Sequence, residues 1–172
     1  MRYLPFLMLI FMVSATSAQA AERLYAGVDY MRTEVKIGGS KFKPYVPKIK
    51  TGFYLMNKVA LELQYIFSGE ADDSGSTLKI DNMYGGYLRL DSNLHNRARI
   101  YLLGGYTQTE LSMTGNLESL SGQKDGSLSW GMGVEDQIVR MRNTFITLEY
   151  MQYYNKDGYK ISGISLGFRV LF

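Results

Sequence analysis

The chain has 172 residues, 19 of them Lys or Arg and 16 Asp or Glu, for a formal net charge of +3, and it contains no cysteine. Without cysteine there is neither a disulfide framework nor a thiol for an N-terminal lipid anchor. The basic excess is slight and scattered through alternating segments, not gathered into the stripe that a nucleic-acid partner requires, so nucleic acid is excluded.

The first predicted element lies outside the folded domain. "MRYLPFLMLIFMVSATSAQA" opens with Arg2, continues as an apolar run from Tyr3 to Val13 and ends in small residues, with Ala18 and Ala20 in A-x-A spacing. That order is the pattern of a secretory signal peptide. The apolar run falls short of the roughly 20 residues that a membrane-spanning helix needs. Residues 1–20 are therefore expected to be removed, and residues 21–172 to form one domain.

Beyond Ala20, helix-period stripes are scarce and period-two alternation prevails. The chain holds 14 Tyr, 8 Phe and 18 Gly, a composition suited to strands and turns. The spacing predicts eight strands: Leu24 to Glu34, Lys48 to Leu55, Val59 to Ser68, Leu78 to Leu90, Ala98 to Leu111, Ser127 to Ile138, Thr144 to Tyr154 and Tyr159 to Phe172. Their connections alternate in length. Met56 to Lys58, Asp91 to Arg97 and Val139 to Asn143 are short; Val35 to Pro47, Gly69 to Thr77 and Ser112 to Gly126 are long; Asn155 to Gly158 breaks the trend.

Nearly every strand has one bulky apolar face; the fifth, "RIYLLGGYTQT", is apolar on both, and Asn82 falls in an outward register. In the third, Val59, Leu61, Leu63, Tyr65 and Phe67 oppose Ala60, Glu62, Gln64, Ile66 and Ser68. In the fourth, Leu78, Ile80, Tyr84, Leu88 and Leu90 oppose Lys79, Asp81, Met83, Gly85, Tyr87 and Arg89. In the sixth, Leu128, Trp130, Met132 and Val134 oppose Ser129, Gly131, Gly133 and Glu135. The last sets Ile164, Leu166, Phe168, Val170 and Phe172 against Gly163, Ser165, Gly167 and Arg169. A soluble sandwich or a lipocalin-type carrier also alternates. Here, however, the apolar face is large and aromatic, while the other carries Gly and full charges. Large side chains would crowd a narrow lumen but fit against lipid. The predicted class is all-β, an eight-stranded antiparallel transmembrane β-barrel, with its short turns in the periplasm and its long connections outside.

The N-terminal leader, the eight amphipathic strands and the terminal "SLGFRVLF" resemble small outer-membrane barrels of the OmpA/OmpX and opacity-protein, porin-like type. The resemblance implies the outer membrane of a Gram-negative envelope, reached by export through the periplasm. It also implies that the barrel assembly machinery reads the last strand, with Phe168, Val170 and Phe172 carrying the signal. The resemblance does not extend to activity; the leading expectation is a non-enzymatic structural or surface-interacting role through the outer loops, in adhesion or envelope integrity. A narrow channel for ions or small solutes is the alternative.

Catalytic chemistry finds little support. Some small barrels are lipid-modifying enzymes that use a His with a Ser and an acid, but the one histidine, His95, falls in a predicted periplasmic turn. "GEADDSG" lacks the ligand spacing of a calcium loop. No catalytic, cofactor or metal site is predicted. "KIGGSKFKPYVPKIK" is the most basic segment; Lys36, Lys41 and Lys43 at the outer rim suit the phosphates of lipopolysaccharide or an acidic host surface. Outer-membrane lipid, lipopolysaccharide and a host or surface ligand are thus the expected partners. Inside, Glu62, Arg89, Arg99, Glu135, Glu149 and Arg169 share the lumen register as a charge layer near the periplasmic turns. Three acids and three arginines in so narrow a space are expected to pair into a plug. For the leader, N-terminal sequencing of the membrane-fraction protein should begin at Ala21, and a chain still starting at Met1 would refute the cleavage site.

Overall fold

Side chains along the strands switch between buried and exposed one residue at a time, as in Val59–Ile66. This is the pleat of a sheet with one exposed and one covered face. The structure, a computed structural model, describes residues 23–37, 40–73, 76–93, 97–114, 123–156 and 159–172. The strands are β1 (Leu24–Ile37), β2 (Ser40–Phe42), β3 (Tyr45–Met56), β4 (Val59–Ile66), β5 (Gly69–Asp73), β6 (Ser76–Asn93), β7 (Ala98–Thr114), β8 (Gln123–Gln137), β9 (Thr144–Lys156) and β10 (Tyr159–Leu171).

Every pairing is antiparallel, in the order β10-β9-β8-β7-β6-β4-β3-β1, and β10 returns to β1. The closing register runs from Tyr25 opposite Leu171 to Lys36 opposite Lys160. β2 continues the path of β3 along β1, and β5 continues that of β4 along β6, so the wall has eight strand positions. At the break between β2 and β3 the Pro44 carbonyl still accepts the Thr33 N–H at 2.9 Å. At the end of the chain the Phe172 N–H donates to the Leu24 carbonyl at 2.7 Å.

The wall is taller than the hydropathy pattern suggests. Much of the predicted loop Val35 to Pro47 is strand, as is much of Gly69 to Thr77. β7 and β8 likewise extend into the predicted loop Ser112 to Gly126, of which residues 115–122 lie outside the described residues. Above the lipid a strand's outer face no longer has to be apolar, so the alternation that marks the strand from sequence fades while backbone pairing continues.

A second correction concerns β6. The pairing with β7 shifts between Ile80 and Asn82, and Ile80 is fully buried inside the barrel rather than outside. One extra residue flips the facing of what precedes it, as a β-bulge does.

The outer surface carries a band of exposed apolar side chains, including Val28, Ile49, Leu61, Leu63, Leu88, Leu102, Met132, Val134, Leu148 and Leu166. Tyr30, Tyr45, Tyr65, Tyr84, Tyr106, Trp130 and Tyr150 follow around the strands at its long-connection side. Tyr30 and Tyr45 stack there with ring centroids 5.7 Å apart. Such a band with an aromatic girdle is the surface a bilayer requires.

Inside, Tyr25, Tyr54, Ala60, Phe145 and Leu171 cluster near the short turns. A larger apolar cluster, with Met31, Val35, Phe42, Val46, Ile66, Ile80, Met83, Tyr154 and Ile161, fills the opposite end. Glycine makes room for the large interior rings. A Cβ on Gly133 would collide with the Tyr101 ring, whereas one on Gly104, on the outer face, would meet nothing within 4 Å. Gly133→Val should therefore lower the unfolding midpoint in detergent by the equivalent of about 1–3 kcal/mol, the usual cost of overpacking. Gly104→Val should leave the midpoint nearly unchanged, and equal effects of the two changes would contradict this packing.

Candidate functional site

Between the two apolar clusters lies a layer of ions. Lys48 and Lys50 on β3 point into the lumen because they alternate with the outward Pro47, Ile49 and Thr51. The Lys48 ammonium donates to Glu149 Oε1 at 2.5 Å and Ser165 Oγ at 3.1 Å, and pairs with Asp29 Oδ2 at 2.9 Å. Lys50 donates to Asp29 Oδ2 at 3.0 Å and Thr147 Oγ1 at 3.3 Å. These groups come from β3, β1, β9 and β10, which are successive around the wall.

Closer to the short turns, Glu135 on β8 is a hub. It accepts from Arg89 Nη2 at 2.8 Å and from Arg169 Nε and Nη2 at 2.9 and 2.5 Å. Arg89 also donates through Nε to Asp91 at 2.7 Å and lies 3.5 Å from Glu62. Asp91 in turn accepts a short hydrogen bond from the Tyr54 hydroxyl. The guanidinium planes rest on rings: Arg89 lies 3.7 Å from the Tyr101 centroid, and Arg169 lies 4.5 Å from Phe145. One Nη1 atom on each arginine has no hydrogen-bond partner among the described residues. Arg89 Nη1 stays within ion-pair reach of Glu62 at 3.5 Å, and the ring faces add cation–π attraction at both arginines.

Two side chains join the levels. Gln64 donates to Glu62 at 2.7 Å and to Glu149 at 3.3 Å. Tyr101, its ring under Arg89, donates its hydroxyl to Glu149 at 2.9 Å. The side chains of Lys48, Lys50, Arg89 and Arg169 have no solvent exposure, nor do those of Asp29, Glu62, Glu135 and Glu149. With Asp91, 3% exposed, and Arg99 at the edge, five cations face five carboxylates in a largely dry space, which meets the condition under which buried charge is tolerable. Above them Ser129 donates to Thr107 at 2.7 Å, and the Tyr87 hydroxyl lies 2.5 Å from the same Thr107 oxygen. The apolar cluster follows.

Of the six residues expected in the charge layer, Glu62, Arg89, Glu135 and Arg169 meet in one cluster. Glu149 is held by lysines, not by an arginine, and sits in the neighbouring cluster. Arg99 stands at the edge, with its side chain 34% exposed and 3.8 Å from Glu135. Asp29, Lys48, Lys50 and Asp91 were missed. For the first three the signal was strand parity: Asp29 alternates with Val28 and Tyr30, and Lys48 and Lys50 alternate with Ile49; Asp91 falls in the stretch expected as a short turn, into which β6 continues as far as Asn93. Grouping the lysines with the basic segment beside them hid it.

Phe168 and Phe172 are exposed on the outer face, Val170 is half-buried, and Leu171 turns inward. Lys36, Lys41 and Lys43 stand on the outward face above the aromatic girdle, Lys36 paired with Glu34 at 2.9 Å. Ala18, Ala20 and His95 lie outside the described residues.

A closed antiparallel wall, a lipid-ready outer band and a polar interior define a transmembrane β-barrel. The chain belongs to the outer membrane protein beta-barrel domain family, whose model matches residues 5–172. Its place is the Gram-negative outer membrane. No curated protein matches it in sequence. Among solved structures it is similar to neisserial surface protein A, NspA, with 16% identity and a TM-score of 0.68 over 87% of this chain and 97% of that one. The attachment invasion locus protein of Yersinia pestis, Ail, solved with the heparin analogue sucrose octasulfate, is 15% identical with a TM-score of 0.64, over 87% and 98%. The outer membrane protein OprG of Pseudomonas aeruginosa is 11% identical with a TM-score of 0.62, over 87% and 96%. At these identities the likeness is one of fold.

The Glu135 hub makes a direct test. Glu135→Ala leaves Arg169 without its carboxylate, and loss of one partner of a buried pair costs about 3–5 kcal/mol. Urea unfolding in detergent should show a loss of that order, against almost none for Lys43→Ala; similar midpoints for the two variants would mean that the layer does not brace the barrel.

Proposed function

We propose that this barrel is a non-enzymatic surface protein of the outer membrane, with a structural or adhesive role exercised at its extracellular rim. The observation that carries the reading is the filled lumen. A paired ion layer lies under an apolar cluster, and among the described residues neither offers solutes a wet path. What the protein can present is its outer end, where the wall rises above the lipid band. With the short turns at 57–58 and 138–143 in the periplasm, that end faces outward. The folds of Ail, an attachment protein by name, and of the surface protein NspA support the same reading.

Residues 1–20 act in export and are removed. The exposed Phe168 and Phe172, with Val170, offer the barrel assembly machinery a strand to read. Lys36, Lys41 and Lys43 face the anionic outer leaflet, where lipopolysaccharide is the nearest partner. Two measurements together test the reading. The protein in planar bilayers should show little or no steady conductance, and its display on a non-adherent Gram-negative host should increase retention on surfaces coated with host matrix proteins. Large, stable single-channel steps without any gain in retention would replace this reading with that of a narrow channel.

A further inference from the structure

The turn that joins β8 to β9 keeps an apolar surface that the barrel leaves uncovered. It reads Val139-Arg140-Met141-Arg142-Asn143, and all five residues are exposed, Val139 at 72% and Met141 at 58%. Its backbone is nonetheless well tied. The Ile138 N–H donates to the Thr144 carbonyl, and inside that closure Met141 donates to Ile138 and accepts from Thr144, each at 2.9 Å. The Gln137 side-chain amide donates to the Arg142 carbonyl, and the Leu171 N–H donates to that of Asn143. Fastened in this way to β8, β9 and β10, the turn holds Val139 and Met141 away from the lumen.

Positive charge gathers at the same place. The Arg97 carbonyl accepts the Gln137 N–H at 3.2 Å, so a third exposed arginine stands beside the turn. The acids nearby are Asp136 and the terminal carboxylate of Phe172. Among the described residues Arg97, Arg140 and Arg142 take part in no ion pair with either. Height decides what meets this group. Trp130, in the aromatic girdle, is seven residues from Gln137 at the foot of β8. At about 3.3 Å per residue and a tilt of about 35–45°, that foot lies on the order of 18 Å below the girdle, within an apolar band about 25 Å tall. Val139 and Met141 therefore meet the lower edge of the hydrocarbon. Arginine stems lie along apolar surface while their heads reach the polar layer. A soluble anion would satisfy the arginines but leave the apolar pair in water; a lipid satisfies both.

We propose that the β8–β9 turn is a docking site for anionic phospholipid of the periplasmic leaflet. Val139 and Met141 seat against the acyl chains, and Arg140 and Arg142, with Arg97 beside them, hold the headgroup phosphates. The bound lipid anchors the foot of the wall at the leaflet boundary. The site rests on the orientation adopted above, which puts the short turns in the periplasm. It does not rest on adhesion, so retention and conductance can fail without affecting it. In the β3–β4 turn, across the ring of strands, Met56 at 71% exposure and Lys58 repeat the pairing with a single cation.

The chain has no cysteine and one tryptophan, so two probes read two levels. The N143C variant carries a single fluorophore at the turn, and Trp130 reads the girdle. In reconstituted bilayers the quencher is bromine on the acyl chains of either phosphatidylglycerol or phosphatidylcholine. An arginine near an anionic surface is worth a preference of roughly fivefold. Half-quenching of the turn fluorophore should therefore need about fivefold less brominated phosphatidylglycerol than brominated phosphatidylcholine, or less still. Trp130 should respond to the two lipids almost equally. Adding R140Q/R142Q to N143C should remove the preference at the turn and leave Trp130 unchanged, whereas adding K58Q should keep it. The lipid comparison in N143C stands without the arginine variant. Equal quenching by the two lipids would overturn the site, as would quenching by neither, or a preference that survives R140Q/R142Q. A preference abolished by soluble anionic peptidoglycan fragments would overturn the lipid and give the turn to the cell wall.

Discussion

In hydrocarbon a backbone N–H or C=O that lacks a partner costs several kcal/mol, because no water can replace the missing bond. A sheet in a bilayer therefore cannot have an edge, and the pairing of β10 with β1 is the feature on which everything else depends. Once the sheet closes with eight strand positions, its interior is only wide enough for side chains to fill. The period-two alternation then leaves every second residue no choice but that interior. Aromatic and aliphatic residues face lipid, while the inside takes the paired charges, with glycine making room for large rings and an apolar cluster toward each end.

Charge in a space that narrow has to be neutralised locally. The solution is two linked clusters, one around Glu135 with its arginines and one around Asp29 and Glu149 with their lysines. Arginine suits the first because its planar head can bind a carboxylate and rest on a ring at once, as Arg89 does between Glu135 and Tyr101. Lysine suits the second because a compact ammonium can share itself among several oxygens, as Lys48 does among Glu149, Asp29 and Ser165. Each ion holds strands that are not neighbours in sequence, so the layer braces the wall from within. The paired ions thus fill the interior at this level.

The outer end uses a different economy. Above the aromatic girdle the strands continue as β2, β5 and the distal parts of β1, β6, β7 and β8, and their inward residues build the apolar cluster of Val35, Phe42, Val46, Ile80 and Ile161. Among the described side chains, this part of the barrel is dry inside and polar outside, as in a soluble protein. It lifts the basic face of β1, β2 and β10 clear of the hydrocarbon, where charged side chains carry little desolvation cost.

Class, topology and facing were legible from the sequence because they follow from a local rule. Side-chain period, face bulk and turn spacing are properties of short stretches, and closure follows from lipid once the strands are known. Glu62, Arg89, Glu135 and Arg169 were readable as interior charges for the same reason. Which acid meets which base was not readable, because Lys48 and Glu149 are 101 residues apart and meet only when β3 and β9 face one another across the lumen. The bulge at Ile80 and the height of the wall were also decided only by tertiary structure. An extra residue in one strand is visible only against its partner, and a strand above the lipid loses the apolar face that would announce it.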